Sequence, residues 1–184
     1  MISRAVLWIL GALLLGGIVH LATVLVLPRA AKEDAYSRLA ELTPVNALAP
    51  LAAPSAQDSI MPFMDPAFAV AVCRYDISSA PLKLSAPVSQ AYTSVTFYTR
   101  NSVAYYAIND RAAGRRTIDL DLMTVAQHAQ LPEEEDVTAA DRLIIESPTT
   151  TGLIVLRALA PEPGLMPLAR RALGAAQCGP ADAR

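Results

Sequence analysis

Three regimes of hydrophobic patterning divide the chain. Ala5–Leu27 is apolar without a break, with no Asp, Glu, Lys or Arg in 23 positions. As a helix it predicts a length of roughly 34 Å, enough to cross a ~30 Å hydrocarbon core. Trp8 suits one interface and Pro28-Arg29 closes the other. The run is longer than the ~7–15-residue apolar stretch of a cleaved signal, and Arg29 fits poorly ahead of the Ala30-Ala31 pair. It therefore reads as an uncleaved anchor. One face carries Ala12, Gly16, His20 and Thr23, a spacing that suits close helix pairing as well as a plain anchor face.

The second regime is proline-punctuated. Ala30–Leu42 has helical spacing, with Tyr36 and Leu39 on one face, and Pro44 stops it. Prolines at 44, 50, 54, 62 and 66 then predict an extended, mostly unstructured spacer.

The third regime alternates with period two. Ala67–Ile77 is a nearly continuous apolar run, as for a strand covered on both faces. Pro81–Pro87 is a strand bounded by prolines, which predicts an edge position. "SVTFYT" and "SVAYYAI" flank Arg100-Asn101, predicting a hairpin with Asn101 in the left-handed region. Val95, Phe97, Val103, Tyr105 and Ala107 then face the core, and Tyr98 and Tyr106 face away. Arg116–Leu122 alternates cleanly, with Ile118, Leu120 and Leu122 inward. Met123–Leu131 predicts a short helix capped by Thr124. Arg142–Ser147 and Thr151–Leu159 predict two strands around a Pro-Thr turn, and Gly164–Gln177 a last helix with Pro167 in its first turn. The fold class expected is α+β: one transmembrane helix, then a mainly antiparallel β domain, sandwich-like, with two short helices. The expected parts are an anchor over 1–28, a juxtamembrane helix and linker over 29–65, and the soluble domain over 66–184.

Composition narrows the function classes. The net charge is −2 over 184 residues, which leaves no basic surplus for a phosphate backbone and argues against nucleic acid as a partner. The flanking charges are Arg4 on one side and Arg29 and Lys32 on the other. They lean weakly toward a cytoplasmic domain, and the N-terminal amine partly offsets them. Cys73 and Cys178 have no CxxC partner. In an oxidising compartment they close a ~105-residue loop, and in a reducing one they are two unrelated thiols.

No catalytic constellation stands out. G-x-S-x-G, H-E-x-x-H, P-loop and dinucleotide-binding patterns are missing. His128 is the one histidine outside the apolar run, too few for a histidine metal site, so no metal or cofactor is expected. "EEED" at 133–136 reads as a solvated charge run, and Asp119 and Asp121 as the outward positions of a strand. The remaining candidate is a ligand or partner surface made of Tyr98, Tyr106, Asp110, Arg111, Arg115 and Arg116, where arginines suit an anionic group.

Met64–Pro87, "MDPAFAVAVCRYDISSAPLKLSAP", resembles the domain-of-unknown-function 1254 family. The shared features are Asp65, Phe68, the strand ending Asp76-Ile77-Ser78, the Pro81–Pro87 strand and the aromatic strand after it. The resemblance is to a short, membrane-anchored alphaproteobacterial form. Asp-Pro-Ala-Phe stands where larger members carry Asp-Thr-x-Tyr, so a hydroxyl pair is lost. The resemblance implies no activity. It implies export of the domain to the periplasm, anchoring in the inner membrane, and a membrane-level partner of the domain-of-unknown-function 1214 type. The leading expectation is a single-pass envelope protein whose domain binds a partner or supports assembly. The alternatives are an anionic-ligand module and, last, a hydrolase using carboxylates such as Asp76 and Asp110.

Overall fold

The computed structural model describes residues 3–30, 34–55, 57–113, 116–131 and 143–181. It separates into two compact units, one up to Glu33 and one from Asp34 onward. The first is a single helix, α1 (Arg4–Ala30). Its segment Arg4–Leu27 is long and apolar enough to cross a membrane, and none of it is buried.

The second unit is a β-sandwich with added helices. Its strands are β1 (Leu48–Pro50), β2 (Phe68–Asp76), β3 (Leu82–Pro87), β4 (Thr93–Thr99), β5 (Ala104–Asn109), β6 (Thr117–Thr124), β7 (Leu143–Ser147), β8 (Thr151–Leu159) and β9 (Gln177–Pro180). One sheet runs β1-β2-β8-β4-β5 and the other β7-β6-β3-β9. All pairings are antiparallel except β6 with β7. Period-two alternation sends Ala71, Cys73, Tyr75, Val95, Phe97, Ile154 and Leu156 of the first sheet inward. They meet Leu82, Leu84, Ile118, Leu120 and Leu122 of the second in one core. Burying a side chain of this size contributes about 1.5–3 kcal/mol. Cys73 on β2 and Cys178 on β9 form a disulfide between the sheets, with Cα atoms 6.4 Å apart.

Short helices close the gaps. They are α2 (Ala35–Ala40), α3 (Asp110–Ala113), α4 (Val125–His128) and α5 (Met166–Gly174). Thr124 caps α4, and Gln127 returns the bond to the Thr124 amide. A 3₁₀ turn at Pro163–Leu165 leads into α5, which buries Ala169 and Leu173 in the same core.

Several expectations need correction. β3 is not an edge: it pairs with β6 and also with the C-terminal β9. Its prolines were a poor guide because Pro81 precedes the strand and Pro87 ends it, so neither interrupts the ladder. The Pro-Thr turn joins two strands as its pattern predicts. It carries the chain from β7 in one sheet to β8 in the other. At the β4–β5 turn the left-handed residue is Ser102 (φ 61°) rather than Asn101. The Ser102 amide bonds to the Thr99 carbonyl, which shifts the tight position one residue on. The spacer is folded in part: Leu48–Pro50 pairs with Ala71–Cys73, and Asn46 holds both backbone groups of Asp76. Proline favours extended backbone, which a short edge strand uses as readily as a linker does.

Candidate functional site

The outer face of the five-stranded sheet is where side chains gather without closing a core. Its rows follow from register. Arg74, Leu153 and Tyr98 form one, Val72, Val155 and Thr96 the next, and Val70, Arg157 and Ser94 the third. α2 covers the first row. Leu39, 2% exposed, packs on Val72 and Leu153. This cover explains why β2 reads as apolar on both faces.

Polar contacts pin α2 in place. Asp34 caps it, accepting from the Ser37 amide at 2.8 Å and the Ser37 hydroxyl at 2.6 Å. The Arg100 guanidinium pairs with the other oxygen of Asp34. Burial raises the Asp34 pKa, but the bonds from Ser37 and Arg100 together outweigh it and hold the carboxyl below its usual range. Tyr36 lies between two arginines, with Arg100 4.3 Å and Arg74 5.1 Å from the ring centroid.

Beyond α2 the face stays open. A cleft of about 400 Å³ lies over Val70, Val72 and Val155, walled by Leu51, Phe68 and the Met61–Asp65 loop. At its rim Phe63 is fully solvent-exposed and left-handed at φ 59°. A non-glycine residue in that region is strained by roughly 1–3 kcal/mol. Asp65 and Arg157 are the charged residues of the lining. Asp65 accepts from the Ala67 amide at 2.9 Å. Arg157 is exposed, and among the described residues its side chain has no hydrogen bond or ion pair.

Between the sheets, four hydroxyls converge. Tyr75 is buried, and its hydroxyl lies 3.0 Å from Ser147, 3.3 Å from Tyr105 and 3.4 Å from Thr149. Burial pushes the Tyr105 hydroxyl far above its usual pKa. This network satisfies its own polar atoms between the sheets, as a structural element does.

The proposed surface residues scatter. Tyr98 is half-buried, packs beside α2 and lines the cleft. Tyr106 pairs in register with Phe97, its ring 6.0 Å away, and therefore sits on the opposite face of the sheet from Tyr98. The cause is a β-bulge: Phe97 pairs with Tyr106 and Tyr98 with Ala104, which leaves Tyr105 as the extra residue. One inserted residue reverses the faces read from strict alternation. Val103 is correspondingly exposed, at 60%, and Ala107 is exposed too.

Asp110 and Arg111 begin α3, where Asp110 Oδ1 is buried without a hydrogen-bond partner among the described residues. Arg116 is exposed, and its carbonyl accepts from Val88. Arg115 and the acidic run at 133–136 lie outside the described residues. On α1, Ala12, Gly16, His20 and Thr23 are all exposed, and the Thr23 hydroxyl donates to the Val19 carbonyl at 2.8 Å. His128 Nδ1 is 2.7 Å from Glu146 Oε1, a pair on the surface.

Asp76 and Asp110 do not converge. Asn109 aligns with Ser94, Arg157 and Val70, whereas Asp76 lies at the far end of β2. Val70 and Asp76 are six strand steps apart, roughly 20 Å at ~3.3 Å each. Paired-carboxylate hydrolysis needs less than ~10 Å. Asp76 instead accepts from the hydroxyl and amide of Ser78, which hold its pKa below the usual range.

The cleft was missed in the sequence because its floor and loop come from three distant segments. The one signal was the apolar, proline-containing "IMPFM" at 60–64.

Residues 45–178 match the family described as "Protein of unknown function (DUF1254)", and the chain belongs to that family. No curated protein matches it in sequence. Among solved structures, the VPA0106 protein of Vibrio parahaemolyticus is similar in fold, with TM-score 0.59 and 12% identity over 79% of this chain and 33% of that one. An uncharacterised protein of Burkholderia cenocepacia gives 0.50 and 13% identity over 84% of this chain and 45% of that one. The chain thus spans less than half the length of either, and the likeness concerns the fold alone.

Proposed function

We propose that this protein is a single-pass, membrane-anchored binding module with its β domain on the oxidising side of the inner membrane, facing the periplasm. The domain takes up a membrane-associated protein partner along β5. The length and apolarity of α1 support anchoring. The Cys73–Cys178 bond supports an oxidising compartment, because cytosolic reductants keep such thiols reduced.

The observation that carries the partner reading is the open edge at β5. Sheet edges attract other strands unless proline, charge or brevity blunts them. β1 has three residues and ends in Pro50, β9 has four and ends in Pro180, and β7 carries Glu146. β5 has six residues with neither charge nor proline, its bulge falls at Tyr105 near its start and leaves Tyr106–Asn109 in regular register, and Val103, Ala104, Tyr106 and Ala107 are exposed. Strand addition to such an edge supplies backbone hydrogen bonds and pockets for alternate side chains. The family resemblance suggests a domain-of-unknown-function 1214 protein as the partner.

A photocrosslinking residue at Ala107, activated in native membranes, tests the proposal. It is expected to trap one discrete membrane protein, and Ala104→Lys is expected to abolish that product. If Ala107 traps no more than a probe at exposed Ser79, β5 is not a docking edge.

A further inference from the structure

We propose that the outer-face cleft binds the acyl chain of a free fatty acid, with Arg157 holding the carboxylate. Three observations converge on this occupant. First, the floor is aliphatic: half-buried Val70 and Val155 lie on two paired strands, beside Val72, which Leu39 already covers. A volume of about 400 Å³ falls in the range of small-ligand clefts. Second, the rim carries unspent apolar surface. Phe63 is fully exposed in a strained left-handed conformation, and Met61, Pro62 and Met64 flank it on the cleft wall. An apolar chain lying in the cleft removes that surface from water.

Third, the polar chemistry is one-sided. Arg157 is the one basic residue of the lining, it lies next to Val70 in register, and its side chain has no partner among the described residues. Asp65, the one acid of the lining, already accepts from the Ala67 amide. A guanidinium binds a carboxylate through two parallel hydrogen bonds. The geometry therefore suits one aliphatic chain ending in one carboxylate. A diacyl phospholipid carries a second chain for which this lining has no second aliphatic floor.

The supply of such a ligand follows if the anchored reading holds. The second unit begins at Asp34, directly after the unit that carries the apolar helix in sequence. Tethering to a bilayer then raises the effective concentration of lipid-borne amphiphiles. The cleft is testable without that reading, because the probe is added directly.

The full chain is placed in nanodiscs of phosphatidylcholine and exposed to a diazirine-bearing dodecanoate. Parallel samples receive the matching diazirine dodecanol, or a phosphatidylglycerol with the same diazirine in its acyl chain. Crosslinked peptides are mapped by mass spectrometry. The expected result is dodecanoate labelling within 60–72 and 153–157. Arg157→Gln is expected to lower that labelling about tenfold while leaving dodecanol labelling unchanged. Val70→Trp, which fills the cleft, is expected to remove both. Arg157 is exposed, so its variant folds as the parent does and decides the matter even if Val70→Trp misfolds. Labelling confined to α1 overturns the cleft. Equal dodecanoate labelling of parent and Arg157→Gln overturns the carboxylate. Labelling by phosphatidylglycerol alone overturns the free fatty acid as occupant.

Discussion

Tyr75 and Gly152 are register partners across β2 and β8, and the tyrosine hydroxyl fills the space a side chain at 152 would need. A Cβ built on Gly152 falls 2.4 Å from the Tyr75 hydroxyl and 2.2 Å from the Tyr98 carbonyl oxygen. The carbonyl is backbone and cannot swing aside. Gly152→Ala is therefore expected to cost about 2–4 kcal/mol, at the severe end for overpacking. The check is denaturant unfolding of the full chain in mild detergent. A loss below ~1 kcal/mol would mean that the strands part readily.

The disulfide sets a second expectation. Cys73 and Cys178 are 105 residues apart in sequence. By the chain-entropy account, a closed loop of that length stabilises the fold by about 4–5 kcal/mol. Replacing both by alanine is expected to lower the unfolding free energy by several kcal/mol, and added reductant to do nothing further to the variant.

Asp34 links stability to pH. Its folded pKa lies below the ordinary 3.8, so the folded state binds fewer protons than the unfolded chain in that range. The stabilisation is present above the ordinary carboxylate value and is lost as pH falls through the folded pKa. Asn keeps the helix cap but removes the charge that Arg100 meets. Asp34→Asn is thus expected to cost ~0–1 kcal/mol at pH 7, and the difference from the parent to shrink below about pH 4. Melting curves at pH 7 and pH 3 measure it.

Asp34→Ala removes the cap as well, at about 1 kcal/mol more. Because α2 seats Leu39 on Val72 and Leu153, loosening it is expected to expose β2 amides to hydrogen exchange before global unfolding. Exchange rates at Val72 and Arg74 report this.

Much of the architecture was legible in the sequence because alternation is a local signal. Ile118, Leu120 and Leu122 face the core as their spacing dictates, and Thr124 caps its helix. The face of Tyr106 was not legible, whereas Tyr98 and Tyr105 lie on the faces their spacing predicts. A single bulge at Tyr105 inverts the parity of β5, and no residue type announces a bulge here. Nor was the second partner of β3, since β9 comes from the far end of the chain and is four residues long. Tyr98 and Tyr106 were joined by counting in twos, and the register separates them. The arginine that instead lines the cleft, Arg157, stands in a strand whose other positions read as plain core.

The central claim is that the β domain lies outside the cytoplasm on a membrane anchor. Ser79 is exposed at the β2–β3 turn, outside the strands that carry Cys73 and Cys178. The most direct measurement is labelling of Ser79→Cys in spheroplasts with a membrane-impermeant maleimide. The account predicts labelling of intact spheroplasts, with the membrane-bound protein modified once and the native cysteines untouched. Labelling only after lysis, or modification of Cys73 and Cys178 without reductant, would contradict it.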